Sequence, residues 1–248
     1  MGEIVSYARG VSSRASQSVE SSGYLARPST GVGPGVIVIH ERWGLVGHIT
    51  GIADRLASAG FVALAPDLYR GRRASELADA DRLAGGLRIS EIADDLAGAA
   101  DYLIAKAGSP SALSGGQDDA PVDSVPRVAA VGFGMGGSLA LWSATLCKSI
   151  VAAVGFYPTM SWDRMRPRWS EYAAKSALMH CADDGGSGTP AVQETIRAIT
   201  EAGGACAVYD YPGTHHAFFN DDQPEHYHAS GASTAWARTL GFLRTAAG

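Results

Sequence analysis

The residues best placed for chemistry lie in one short run, Val128-Ala129-Ala130-Val131-Gly132-Phe133-Gly134-Met135-Gly136-Gly137. An apolar strand enters a glycine-flanked turn and a helix follows, which is the shape of a nucleophile elbow, G-x-[nucleophile]-x-G. The flanking glycines permit a tight, strained turn that lifts the middle side chain above the sheet. Here the middle residue is Gly134, which has no side chain, so covalent attack from this position is closed. As a string, Gly132-x-Gly134-x-x-Gly137 also satisfies the dinucleotide-binding fingerprint. That fingerprint opens the first βαβ unit and is followed about 20 residues later by an acid at a strand end. This run lies mid-chain and the next strand ends Phe156-Tyr157-Pro158, which disfavours a nucleotide site.

Other reactive types are sparser. His226 and His228, two apart, suggest a metal pair on a strand, but no cysteine or third histidine stands at ligand spacing. Asp221, Asp222 and Glu225 read as loop residues, and neither a metal nor another cofactor is expected. Cys147, Cys181 and Cys206 fall in or beside apolar segments and read as core thiols of a reducing compartment. Met1, Gly2 and Ser6 match the loose myristoylation pattern. Two small residues at fixed places are a weak signal, and one acyl chain gives only marginal membrane binding.

The 248 residues are 46% hydrophobic and 18% charged, the balance of a soluble protein with a sizeable core. Twenty Lys and Arg against 25 Asp and Glu give a net charge of −5, without the basic footprint of a nucleic-acid binder. No run reaches the ~18 apolar residues of a membrane span, and the first residues lack a secretory signal. A cytoplasmic location and a small-molecule partner are expected, with no nucleic acid and no membrane; the pattern is silent on oligomeric state.

Short apolar runs alternate with amphipathic segments, the pattern of a mostly parallel sheet covered by helices on both faces. Strands are predicted over Val36–His40, Phe61–Ala65, Arg127–Val131, Val151–Phe156, Ala177–Cys181 and Ala205–Tyr211. Helices are predicted over His48–Ala59, Glu91–Lys106, Gly136–Leu146, Pro190–Glu201 and about Ser233–Thr245. The Gly, Pro, Ser and Asp-rich stretch Gly108–Pro126 reads as a surface loop within one domain spanning 1–248, of which 1–30 is an N-terminal extension.

Four stretches taken together resemble the dienelactone hydrolase family of the α/β-hydrolase superfamily. They are His40-Glu41-Arg42-Trp43-Gly44, Ala65-Pro66-Asp67-Leu68-Tyr69-Arg70, the elbow, and Tyr211-Pro212-Gly213-Thr214-His215-His216-Ala217-Phe218, in the family's order. The resemblance implies an α/β-hydrolase fold in which an elbow cysteine attacks a lactone or ester carbonyl. A histidine after the last strand acts as base, an acid after the preceding strand orients it, and a glutamate after the first core strand holds the cysteine at rest. Carried over, the glutamate is Glu41, the histidine is His216 and the nucleophile position is Gly134. The acid falls on Asp184, with Asp183 as the alternative; an alignment one residue over puts Gly185 there. His215 reads as structural.

The oxyanion donors implied are the backbone N–H groups of Arg42 and Met135. Trp43, Tyr69, Arg70, Phe218 and Asn220 are expected to line the substrate pocket. The family's carboxylate-holding arginine, one helical turn after the histidine, falls on Asn220, which disfavours an anionic dienelactone unless Arg42 and Arg70 supply charge from the other side. Three readings remain. The first is an enzyme acting on a small lactone, ester or enol-type substrate by acid-base and oxyanion-hole catalysis. The others are a non-catalytic ligand-binding relative and a nucleophile-silenced form of an ordinary cysteine hydrolase. Retention of both Glu41 and His216 favours the first.

Overall fold

The computed structural model describes residues 2–10, 20–106, 127–159 and 162–247. The expected loop over 108–126 and Met1 of the acylation pattern lie outside these residues. Eight strands form one sheet in the order β1-β2-β4-β3-β5-β6-β7-β8. They are β1 (Glu3–Ala8), β2 (Glu20–Ala26), β3 (Gly35–Ile39), β4 (Val62–Pro66), β5 (Val128–Phe133), β6 (Ile150–Phe156), β7 (Ser176–Ala182) and β8 (Ala205–Tyr211). The pairings β1-β2 and β2-β4 are antiparallel, and every later pairing is parallel.

Every residue of β3, β4 and β5 is buried, because helices cover both faces and strands so placed have no wet side. Along β3 the side chains alternate, with Ile37 and Ile39 in one core and Val36 and Val38 in the other. Helices α1 (Gly47–Ser58) and α6 (Ala229–Ala247) pack on the Val36 face. Helices α3 (Ile89–Lys106), α4 (Met135–Ser143) and α5 (Pro190–Glu201) pack on the opposite face. Edge strand β8 is covered on one side only, and Arg238 from α6 lies 3.9 Å from the Tyr209 ring centroid on it.

The structure departs from the sequence pattern in three places. The N-terminal extension contributes β1 and β2 to the sheet, although β1 buries only Tyr7 fully and so carries little apolar signal. Helix α2 (Leu77–Gly85) buries only Ala80 and Leu83, too narrow a stripe to announce itself. Helix α6 begins at Ala229 rather than near Ser233, because the His228 Nδ1 accepts the Gly231 N–H at 3.1 Å at the start of the helix. That role also occupies Nδ1 of His228, one of the two histidines whose spacing suggests a metal pair.

The N-terminal strands are tied to α3 by Asp95, which is 1% exposed. Its carboxylate forms an ion pair with Arg9 Nε at 2.9 Å and accepts hydrogen bonds from Arg70 Nη2 at 2.6 Å and from the Ser21 hydroxyl. Removing the carboxylate leaves the largely covered Arg9 guanidinium without its ion-pair partner, and breaking a buried pair from one side costs about 3 kcal/mol. Asp95→Ala is expected to lower unfolding free energy by about 3 kcal/mol, read as an earlier urea midpoint at unchanged slope.

Candidate active site

The elbow is fixed by backbone crowding. A Cβ on Gly132 would lie 1.9 Å from the Gly136 carbonyl oxygen, and one on Gly136 would lie 2.3 Å from that of Ile39. Only glycine allows the first turn of α4 to press so closely on the ends of β5 and β3. Gly134 itself has φ +52° and ψ −116°, and its N–H donates to the Phe156 carbonyl at 3.0 Å. A Cβ built on Gly134 meets a single neighbour, the His216 ring, at 3.4 Å from Nε2 and 3.6 Å from Cε1. The direction a nucleophile would take is therefore open and faces the imidazole.

His216 arrives on the loop after β8, and the acids arrive on the short 3-10 turn Asp183–Gly185 after β7. The two loops are laced together. Asp184 Oδ2 accepts the backbone N–H of His216 at 3.0 Å, and Asp183 Oδ2 accepts that of Gly213 at 3.1 Å. Asp184 thus holds the main chain of His216 rather than its ring. His215 points outward, with its side chain 71% exposed and Nδ1 3.8 Å from Asp184 Oδ2. The His216 pKa lies below the ordinary histidine value of 6.5, chiefly because burial penalises the imidazolium. Glu41 and Asp184 oppose the shift, while Arg42 and His226 add to it.

Glu41 follows β3 and is 5% exposed. Its Oε2 accepts Asn220 Nδ2 at 3.0 Å. Beside it lies the buried Tyr157 hydroxyl, and desolvation, then the Glu41 charge, then a side-chain hydrogen bond to Glu41 push the phenol pKa well up. Tyr157 stands at φ +34°, and its ring meets His216 edge-on at 4.8 Å. Nothing in the sequence singled it out as a site residue. Its one signal was position, at the carboxyl end of the strand next to the elbow, where ligands of parallel sheets gather.

These groups border a cavity of about 180 Å³ lined by Glu41, Trp43, Gly134, Met135, His216 and His226, among others. The backbone N–H groups of Arg42 and Met135 donate to no group among the described residues, as expected for the free donors of a turn and a helix start. Four expected pocket residues lie elsewhere. Tyr69 is 1% exposed and donates its hydroxyl to the Arg42 carbonyl at 3.1 Å, bracing that turn. Arg70 is drawn away to Asp95 by a 2.6 Å ion pair. Phe218 is fully buried, stacked on Tyr211 at 4.9 Å. Asn220 is committed to Glu41. Among the described residues no group of three His, Cys, Asp or Glu side chains is arranged to hold a metal. Burial raises the thiols of Cys181 to about 12 and of Cys147 and Cys206 to about 11, so none offers a thiolate near neutrality.

In an NMR titration His216 is expected to titrate below 6.5, to move lower in Glu41→Gln and to move higher in Arg42→Ala. The sign carries over to folding: the neutral ring contributes fully above pH 6.5, and that contribution is lost as pH falls through the depressed folded value. Equal titration of all three proteins would show that neither charge acts on the ring.

The dienelactone hydrolase family profile matches residues 21–247. A protein of Aquifex pyrophilus named usf is 28% identical, with 98% of each chain covered. A Yersinia pestis protein provisionally named carboxymethylenebutenolidase is 31% identical, covering 91% of this chain and 84% of its own. A solved structure from Klebsiella pneumoniae, provisionally described as a dienelactone hydrolase, shares the fold with a TM-score of 0.71 at 23% identity, over 98% of this chain and 99% of its own. The mostly parallel sheet with helices on both faces is the α/β-hydrolase fold, and the chain belongs to the dienelactone hydrolase family.

Proposed function

We propose that this protein transforms a small lactone, ester or enol-type substrate by acid-base and oxyanion-hole catalysis, without a covalent intermediate. The observation that carries the reading is the 3.4 Å separation between His216 Nε2 and the empty Cβ direction of Gly134. A water molecule placed there gives one proton to Nε2, and the Glu41 carboxylate, which borders the same cavity, orients it. The water oxygen bonds to the substrate carbonyl carbon while the carbonyl π-pair moves onto oxygen. The N–H groups of Arg42 and Met135 receive that charge. Collapse expels the leaving oxygen, which takes the proton from His216. With an enol-type substrate the same ring moves a C–H or O–H proton, and the same donors hold the enolate.

The depressed His216 pKa keeps the ring neutral, and so able to accept a proton, near neutral pH. Turnover is expected to rise with pH through that value and then level. Positioned proton transfer contributes roughly 10² to 10⁴ in rate. His216→Ala is therefore expected to lower turnover at least about 100-fold while ligand affinity stays within a few fold. A wild type that converts nothing, together with a variant that loses affinity, would identify a binding protein instead.

Gly134→Cys places a thiol against His216 and the same donors. It is expected to gain turnover of aryl esters with an acyl-enzyme burst in stopped-flow traces. A folded variant with neither burst nor turnover would refute the assigned oxyanion donors.

A further inference from the structure

A second cavity, of about 330 Å³, adjoins the first and shares Arg42 and Met135 with it. Its walls are mainly aliphatic: Ala84, Leu87, Ile89 and Ile92 from the α2–α3 hairpin, Leu139 from α4 and Met165 opposite. Ser138, Arg42, Asp81 and Arg164 on its lining each have a protein partner. The Ser138 hydroxyl donates to the Thr159 carbonyl at 2.9 Å. Arg42 Nη1 pairs with Asp81 at 3.2 Å, and Arg164 Nη2 donates to the Leu87 carbonyl at 2.9 Å. Arg70, the other candidate for anion binding, is held by Asp95. At the mouth of the catalytic cavity Leu77 is 56% exposed, an apolar side chain left in water on the path between solvent and Glu41.

We infer that this chamber receives an uncharged apolar tail of the substrate, so that the protein takes lactones or esters bearing an aliphatic or aryl chain rather than a carboxylate. The inference rests on the reading of the Gly134 cavity as the place where the reacting carbonyl sits. From there Met135 leads directly into the chamber: its N–H is placed for the carbonyl, and the residue lines both cavities. With mainly aliphatic walls, desolvation supplies the binding energy. A tail ending in a carboxylate would have to give up its hydration among these side chains, beside guanidiniums that already face Asp81 and the Leu87 carbonyl.

The test measures affinity, not turnover, with γ-butyrolactone and its n-alkyl homologues by calorimetry on the full chain. Each methylene entering the chamber is expected to tighten binding roughly fourfold until the chamber is full. A homologue of the same length ending in a carboxylate is expected to bind more weakly than the alkyl one. Ala84→Phe, which fills the space, and Leu87→Asn, which wets its wall, are each expected to flatten the chain-length dependence. Ile4→Ser on edge strand β1 keeps it. Thermal melts establish folding, and Leu87→Asn carries the test if Ala84→Phe does not fold. No chain-length dependence in the wild type, an unchanged dependence in folded variants, or tighter binding of the carboxylate would overturn the inference. A non-catalytic relative with this chamber would still show the chain-length dependence. An enzyme without the chamber would bind the bare ring and the long-tailed lactone alike.

Discussion

The site depends on one contact in which no side chain takes part: the backbone of Gly136 pressed against the carbonyls of Ile39 and His40, with Gly132 closing the other side. That approach brings the end of β3, which delivers Glu41 and Arg42, to the start of α4, which delivers Met135. His40 then fixes the β3 end against β4. Its ring is fully buried and its pKa is lowered by that burial. Nε2 accepts the Leu68 N–H at 3.3 Å, so Nδ1 carries the proton and donates to the Glu41 carbonyl at 2.6 Å. The same carbonyl also accepts the Gly44 N–H at 3.2 Å, so the turn that carries Arg42 and Trp43 is held at both ends.

The His216 side of the cavity is referenced to a second buried imidazole. His180 on β7 is hydrogen-bonded to the Tyr211 hydroxyl at 2.7 Å and to the Thr239 hydroxyl at 2.9 Å, joining β7, β8 and α6. Burial lowers its pKa to about 3, so this crossbar stays uncharged near neutral pH. The loops carrying Asp184 and His216 leave the ends of the two strands it joins. Their lacing through backbone N–H groups fixes main chain to carboxylate and leaves the imidazole ring free to face Gly134.

What was legible in the sequence follows the range of the interactions involved. The buried parallel strands announced themselves as unbroken apolar runs, and α5 was bounded correctly because Thr189-Pro190 is a local start signal. Glu41, Gly134 and His216 were legible because each sits in a short motif. Arg70 and Asn220 were given to the pocket because their partners are not local: Asp95 lies 25 residues from the first and Glu41 lies 179 from the second. Tyr157 and the α2–α3 chamber were missed for a related reason. An apolar residue facing a cavity and one facing the core have the same pattern, and only packing tells them apart.

The open Cβ direction at Gly134 has a consequence for how such a protein changes over generations. The elbow is specified by its neighbours, so the backbone survives whatever stands at 134, and any residue other than glycine there bears the strain of a positive φ, of order 1–3 kcal/mol. Cysteine and one set of serine codons become glycine codons by a change of the first base alone. A covalent ancestor would therefore stand a single nucleotide from this chain, with relief of strain favouring the step and only the demand for an acyl intermediate opposing it. Chemistry at this scaffold turns on one codon that the fold itself does not defend.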